Sequence, residues 1–335
     1  MKLMKLALAG ALAIGLGSTA LAAETLRFSS FEPPVAHVTK NILTPWAADV
    51  SGASNGELEV TIFPGGTLGR SPAQQLKLVE DGVADIAWVI PGYTPGRFDQ
   101  GTVSELPFLV RNAAAGSAAM WSLFEQGLFS GDYDKFKMIG VMVSAPNGLA
   151  TTKEVRAPED LRGMNLRAPG PTMLSAIDAL GAVPVGGITG PSLAESISRG
   201  LIDGTFTQWG AIETFRAGEV VKNYVDLPLG GTPMLIVMNK ARYESLSDTA
   251  RAAIDKFSGA AFSERFGKSF DQNVAEARER NLAKYKINEI ILDEAMTGKW
   301  RDALAVSTSD WIAQHENGQA IYDGLAKAIA EASGK

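Results

Sequence analysis

The chain has 335 residues, a formal net charge of −6, 46% hydrophobic residues and no cysteine. The missing thiols exclude disulfide, thiol-redox and thiolate–metal chemistry. The absence of any basic run argues against nucleic acid as a partner, since that binding needs clustered Lys and Arg.

Taken in order, Met1 to Ala23 carries Lys2 and Lys5, an apolar run over 6–16 and the small-residue ending Ala20-Leu-Ala-Ala23. This is the pattern of a secretory signal cleaved near Ala22 or Ala23, with an apolar core too short to stay in a membrane. The expected exported chain has about 312 residues and a charge of about −8, long enough for two domains.

A first strand over 26–30 precedes the turn Phe31-Glu-Pro-Pro-Val-Ala36 and a helix from about His37 to Val50, in which Val38, Ile42, Trp46 and Val50 form one apolar stripe. Residues 58–63 alternate as a second strand, Pro64-Gly-Gly-Thr-Leu-Gly69 forms a tight loop, and Ser71-Pro72 starts a helix that runs to Asp81. Gly82 closes that helix, and a buried strand over 85–90 follows. Strand, helix, strand in this order predicts parallel α/β units. The unit returns later: Gly82-Val-Ala-Asp85-Ile-Ala-Trp88 and Gly200-Leu-Ile-Asp203-Gly-Thr-Phe206 share a helix-stopping Gly, an Asp three residues on and an aromatic three further.

A strand over 138–143 continues past Pro146 and Asn147 to 148–151, and a second candidate crossing lies around 232–238. Two crossings make a hinge with a cleft between lobes. Between them, Asp160-Leu-Arg-Gly-Met-Asn-Leu-Arg-Ala-Pro-Gly170 holds a short strand that ends at Arg167. The carboxyl ends of strands in open α/β sheets are where ligands bind, and the planar fork of Arg matches a carboxylate. By spacing alone, Arg167 serves a surface ion pair more readily than a ligand. From Ser247 the chain reads as helical for about 38 residues, on the order of 55 Å, with Gly259 and Gly267 interrupting the pattern. Two more helices carry Trp300, Trp311 and Tyr322 into packing positions.

The exported chain has two histidines, His37 and His315, far apart in sequence, and no G-x-S-x-G, zinc-ligand spacing or phosphate-cradling loop. No residue set supports catalysis, a metal or a cofactor. Binding has more support: Arg167 supplies a fixed positive group, Trp88 and Tyr93 end one half of the repeat, and Thr207 and Trp209 end the other. Trp88, inside an apolar strand, fits a core better than a site.

The export signal, Pro64-Gly-Gly-Thr-Leu-Gly69, Gly82-Val-Ala-Asp85, Asp160-Leu-Arg-Gly-Met-Asn-Leu-Arg-Ala-Pro169 and Gly200-Leu-Ile-Asp-Gly204, in this order, resemble the solute-binding subunits of TRAP transporters, the tripartite ATP-independent periplasmic family. The resemblance implies a two-lobed periplasmic binding-protein fold of class α/β, with each lobe a mostly parallel sheet flanked by helices, joined by hinge strands and a long spanning helix. It divides the chain into lobe I, residues 24–147 with about 236–280, and lobe II, residues 148–235 with about 281–335. It implies a periplasmic protein without enzymatic activity or cofactor, whose partners are a small carboxylate ligand and the membrane subunits of the transporter. In that family the Arg of the L-R-x-P motif, here Arg167, grips the substrate carboxylate. Some sialic-acid-binding members carry a second Arg where this chain has Asn147, and an Asn where it has Thr207; these departures point away from sugar acids. The expected ligand is an aromatic or apolar monocarboxylate, 2-oxo and 2-hydroxy acids included, near Trp88, Tyr93 or Trp209, with Phe31 and His37 lining the same cleft. A ligand sensor partner and a periplasmic enzyme on the same scaffold are the competing readings.

Overall fold

The computed structural model describes residues 23–334; the expected export signal lies, apart from Ala23, outside them. Its strands in chain order are β1 (Glu24–Ser29), β2 (Leu58–Phe63), β3 (Ile86–Val89), β4 (Phe136–Pro146), β5 (Gly148–Thr151), β6 (Asn165–Arg167), β7 (Val183–Val185), β8 (Gly204–Thr207), β9 (Asn223–Val225), β10 (Gly231–Asn239) and β11 (Asn288–Ile290). They form two sheets, ordered β2-β1-β3-β10-β4 and β11-β9-β5-β8-β6-β7.

In each sheet one strand runs against the rest: β10 in the first, β5 in the second. The reason lies in the crossings. The carboxyl ends of the parallel strands in both sheets face the same cleft, so a chain that leaves one sheet through that edge enters the other backwards. β4 passes into β5 at Asn147, and β9 passes back into β10 over residues 226–230. The two crossings are laced together: Asn147 N–H donates to Gly230 O at 2.9 Å, Leu229 N–H to Asn147 O at 2.8 Å, and Asn147 Nδ2 to Gly230 O and Thr232 Oγ1 at 2.9 and 3.1 Å.

Lobe I packs two apolar layers on its sheet. One joins Leu26, Phe28, Trp46, Trp88 and Phe266, with Phe28 edge-on to Trp46 at 5.7 Å. The other joins Val79, Val89, Met120, Val141 and Leu325. The strand alternation that sends Trp88 to one layer and Ala87 and Val89 to the other follows from the two-residue period of β3. Lobe II has its own pair of layers, one around Leu166, Met173, Phe206 and Trp300 and one around Ile197, Trp209, Tyr224 and Ala277.

The helical run expected from Ser247 is two helices, Asp248–Lys256 and Gly259–Lys284, and of the two glycines that interrupt the pattern Gly259 marks the break while Gly267 lies inside the second helix. Gly259 takes φ +80° beside the Trp121 ring, a conformation that ends a regular helix for any residue with a side chain. The second helix, about 39 Å long at 1.5 Å per residue, is a third link between the lobes. It packs on the helix Ala113–Glu125 in lobe I and on Trp209–Thr214 in lobe II. At Gly267 a side chain would strike the Ala113 carbonyl at 2.4 Å, so the absent Cβ is what lets the two helices lie this close.

The expected assignment of the whole C-terminal segment to lobe II needs correction. The helix Glu294–Gln314 does rest on Pro171–Ala179 in lobe II, but Gly318–Ser333 returns to lobe I against Ala113–Glu125. The chain reverses at Asn317, in the left-handed region at φ 56°, and delivers Ile321, Leu325 and Ile329 to the second layer of lobe I. Trp311 already reaches lobe I, where its Nε1–H donates to Thr102 Oγ1 at 2.8 Å.

Candidate functional site

The repeated Gly and Asp are structural devices that bring equivalent strand ends to the cleft. Gly82 and Gly200 both stop a helix with positive φ, 68° and 70°. Asp85 N–H donates to Arg27 O at 2.9 Å while its carboxylate accepts from Arg27 N–H at 2.7 Å. Asp203 does the same with Asn165, at 2.7 and 2.9 Å. Each Asp thus pins its strand to the parallel neighbour, β3 to β1 and β8 to β6.

Arg167, the last residue of β6, is 3% exposed. Its Nε–H donates to Ile188 O at 2.8 Å, Nη1 to Thr205 Oγ1 at 3.5 Å and Nη2 to Tyr93 Oη at 3.3 Å. Among the described residues no carboxylate pairs with it. A guanidinium has five N–H groups, so one remains on each terminal nitrogen. Tyr93 reaches this point from lobe I. Its hydroxyl accepts from Arg167 and, at 3.0 Å, from Gly190 N–H, which leaves its own hydrogen to donate. The lobes touch around this centre: a side chain on Gly92 would meet the Pro169 carbonyl at 2.1 Å.

Six of the eight expected residues, Phe31, His37, Tyr93, Asn147, Arg167 and Thr207, line one cleft. Phe31 lies edge-on to Tyr93 at 6.0 Å. Thr207 closes β8, its carbonyl held by the Tyr224 hydroxyl at 3.2 Å. The Asn147 amide is committed to the hinge, so it lines the cleft without offering both its N–H groups. His37 ties the first helical segment to the long helix: Nδ1 accepts from Asn41 and Nε2 meets Ser269 Oγ, both at 3.0 Å. Burial holds its imidazole below the ordinary value, and Glu276 pulls the other way.

The two tryptophans are corrections. Trp88 has no exposed surface and lies in the core of lobe I, 5.8 Å from the Phe266 ring. Trp209 begins a helix whose first side chain turns back into lobe II, over Tyr224 at 4.1 Å. The aromatic and apolar wall is made instead by Phe31, Tyr93, Ile90, Phe215, Met234 and Phe270. Glu32, Gln208 and Asn273 supply polar groups. Glu32 follows Phe31 at a strand end and was readable by the same rule; Phe215, Met234 and Phe270 come from three distant elements and carry no local signal.

Two buried carboxyls bear on the site. Glu32 is lifted by burial to about 7; the Trp88 indole N–H favours its ionised form without closing a hydrogen bond. Glu105, in lobe I, sits behind the Arg167 loop. Its Oε2 accepts from Thr172 and Met173 N–H at 3.0 and 3.3 Å, at the start of the lobe II helix Pro171–Ala179. Burial raises its carboxyl to about 8 against those two bonds, and Oε1 has no partner. Burial favours the neutral acid, in which Oε2 can still accept from the helix N–H groups. Among the described residues no group of three His, Cys, Asp or Glu could hold a metal ion.

Two α/β lobes, laced by crossing strands around a cleft with one buried, acid-free guanidinium, define a solute-binding protein of the periplasmic two-lobed class. The model of the DctP family, described as bacterial extracellular solute-binding protein, family 7, matches residues 28–314, and the chain belongs to that family, the solute-binding subunits of TRAP transporters. These are periplasmic binding proteins that work with membrane subunits, not enzymes. A TRAP solute-binding protein from Rhodoferax ferrireducens, solved with copurified benzoate, superposes with a TM-score of 0.88 at 29% identity over 93% of this chain and 99% of that one. A marine metagenome protein specific for aromatic acid ligands, solved with 3-hydroxybenzoate, gives 0.87 at 32% identity over 93% and 99%. The outer membrane transporter protein TsaT of Comamonas testosteroni is 26% identical over 287 residues, 82% of each chain.

Proposed function

We propose that the cleft captures a small aromatic monocarboxylate, with its carboxylate on the two unused N–H groups of Arg167 and the Tyr93 hydroxyl, and presents it to the membrane subunits of a TRAP transporter. The observation that carries this is a guanidinium 3% exposed with only neutral partners. A buried cation without a counter-ion is unfavourable, and an arriving carboxylate corrects it. The walls support the rest: Phe31, Phe215 and Phe270 offer ring faces and edges of the kind that pack on an aromatic ligand. The relatives solved with benzoate and 3-hydroxybenzoate agree with that class. The units that close are lobe I, built on the first sheet, and lobe II, built on the second. Export with cleavage near Ala22 or Ala23 belongs to the same reading.

A thermal-shift screen of the exported chain against aromatic, aliphatic, dicarboxylic and sugar-derived acids tests it, because a ligand that binds only the folded form raises the melting temperature. Shifts confined to aromatic monocarboxylates and abolished in Arg167→Ala are expected. Equal shifts in wild type and Arg167→Ala contradict the assignment of Arg167, and shifts with sugar acids or dicarboxylates alone contradict the ligand class.

A further inference from the structure

Glu32 has no role in that reading, and its setting calls for one. The residue is 7% exposed and lines the cleft from lobe I. Its backbone is anchored on both sides, N–H to Ser30 Oγ at 3.2 Å and C=O to Gly65 N–H at 2.7 Å, so its place in the wall is fixed. Among the described residues the donor that approaches its carboxyl is the indole N–H of Trp88, which favours the ionised form but falls short of a full hydrogen bond. Phe31, Ile90 and Met234, which line the same cleft from lobe I, are apolar.

Arg167 stands on the opposite lobe and forms no ion pair with Glu32. The cleft therefore holds a cation on one wall and an acid on the other, with ligand space between. An acid whose body is wholly apolar would fill that space, shut out water and leave Glu32 unpaired, which is unfavourable for a buried polar group. A ligand with a hydroxyl opposite its carboxylate would satisfy both walls. Burial, which keeps the Glu32 carboxyl near the midpoint of its titration at neutral pH, suits a neutral O–H better than a cation that requires full ionisation.

Resting on the Arg167 reading, we propose that Glu32 is a specificity residue that selects aromatic acids bearing a hydroxyl group by accepting that hydroxyl's hydrogen. Sites built to pair a ligand hydroxyl reject the analogue that lacks it, because their own polar group is then left unpaired.

Isothermal titration tests this with benzoate against each of its three monohydroxylated forms, and phenylacetate against mandelate and 3-hydroxyphenylacetate. In wild type at least one hydroxylated acid should bind about tenfold or more tighter than its parent. Glu32→Leu should reduce that ratio to about one, weakening the hydroxylated acid far more than its parent. Glu32→Gln, close in shape and still carrying an acceptor oxygen, should keep part of the ratio and guards against a folding defect in the Leu variant. If every ratio is near one in wild type, or is unchanged in both variants, the proposal fails; parent acids that still bind wild type and are lost in Arg167→Ala leave the Arg167 reading standing. If no acid in the set binds wild type, both fall.

Discussion

Ser29 and Arg167 occupy the same register position in the two lobes. Ser29 pairs with Ala87 across β1 and β3, two residues past the Arg27–Asp85 bonds; Arg167 pairs with Thr205 across β6 and β8, two residues past the Asn165–Asp203 bonds. In lobe I the position is closed off, with Ser29 Oγ donating to Gln75 Oε1 at 2.7 Å inside the fold. In lobe II it presents a guanidinium to the cleft. Gly and Asp thus set the frame twice, and one residue in that frame decides which lobe carries the charge.

The largest expected effect separates these two positions. Arg167→Ala should weaken ligand binding by a hundredfold or more, about 3–5 kcal/mol for a carboxylate left without its partner, with little loss of stability. Ser29→Ala should do the reverse: affinity nearly unchanged and about 1–2 kcal/mol of stability lost for a buried hydrogen bond. Titration calorimetry and urea unfolding on both variants check the pair, and a similar loss of affinity in both would break the comparison.

Next come two glycines with the same sign of φ and different surroundings. Gly230, at φ 96°, lies where a side chain would meet the Glu105 carbonyl oxygen at 2.0 Å, whereas Gly82, at 68°, has nothing within 4 Å. Gly230→Ala should destabilise by about 3 kcal/mol or more, strain and overlap together, and Gly82→Ala by only about 1 kcal/mol. Equal losses in urea unfolding would show that the hinge is not tightly packed against lobe I.

Glu105 gives a pH effect of intermediate size. Its folded value, about 8, lies above the ordinary 4.5, so between those values the folded chain holds a proton the unfolded chain releases. Its contribution to stability is full below about 4.5 and is lost as pH rises through 8. Glu32, raised to about 7, acts in the same direction, so the readout is the difference between wild type and Glu105→Gln. The variant should show a flatter decline in melting temperature between about pH 5 and 9; parallel curves would contradict a neutral Glu105 bridging the lobes.

The smallest expected effect concerns Trp209. Trp209→Phe keeps a ring on Tyr224 and should change ligand affinity by less than about threefold. A larger loss would return Trp209 to the cleft.

That last point marks what the sequence could and could not carry. Period-two alternation, helix-stopping glycines and the strand-end rule were enough to find the parallel units and the first crossing and to put Arg167 and Tyr93 at the cleft; the second crossing falls at 226–230, ahead of the expected 232–238, which is β10 of the first sheet. They could not assign Trp88, because β3 is buried on both faces and either layer accepts an aromatic. They misplaced Trp209 because its loop position hid a helix start, where Gln208 caps Gly210 and Ala211 N–H and turns the ring inward. The return of the last helix to lobe I depended on a three-residue reversal ending at Asn317, and Phe215, Met234 and Phe270 meet only once three elements have folded.

The most direct test of the account is a crystal structure of the exported chain with 3-hydroxybenzoate. The account predicts both carboxylate oxygens within about 3.2 Å of Arg167 terminal nitrogens, with the Tyr93 hydroxyl in reach of one of them. A carboxylate bound elsewhere in the cleft, with Arg167 still on its neutral partners alone, would contradict it.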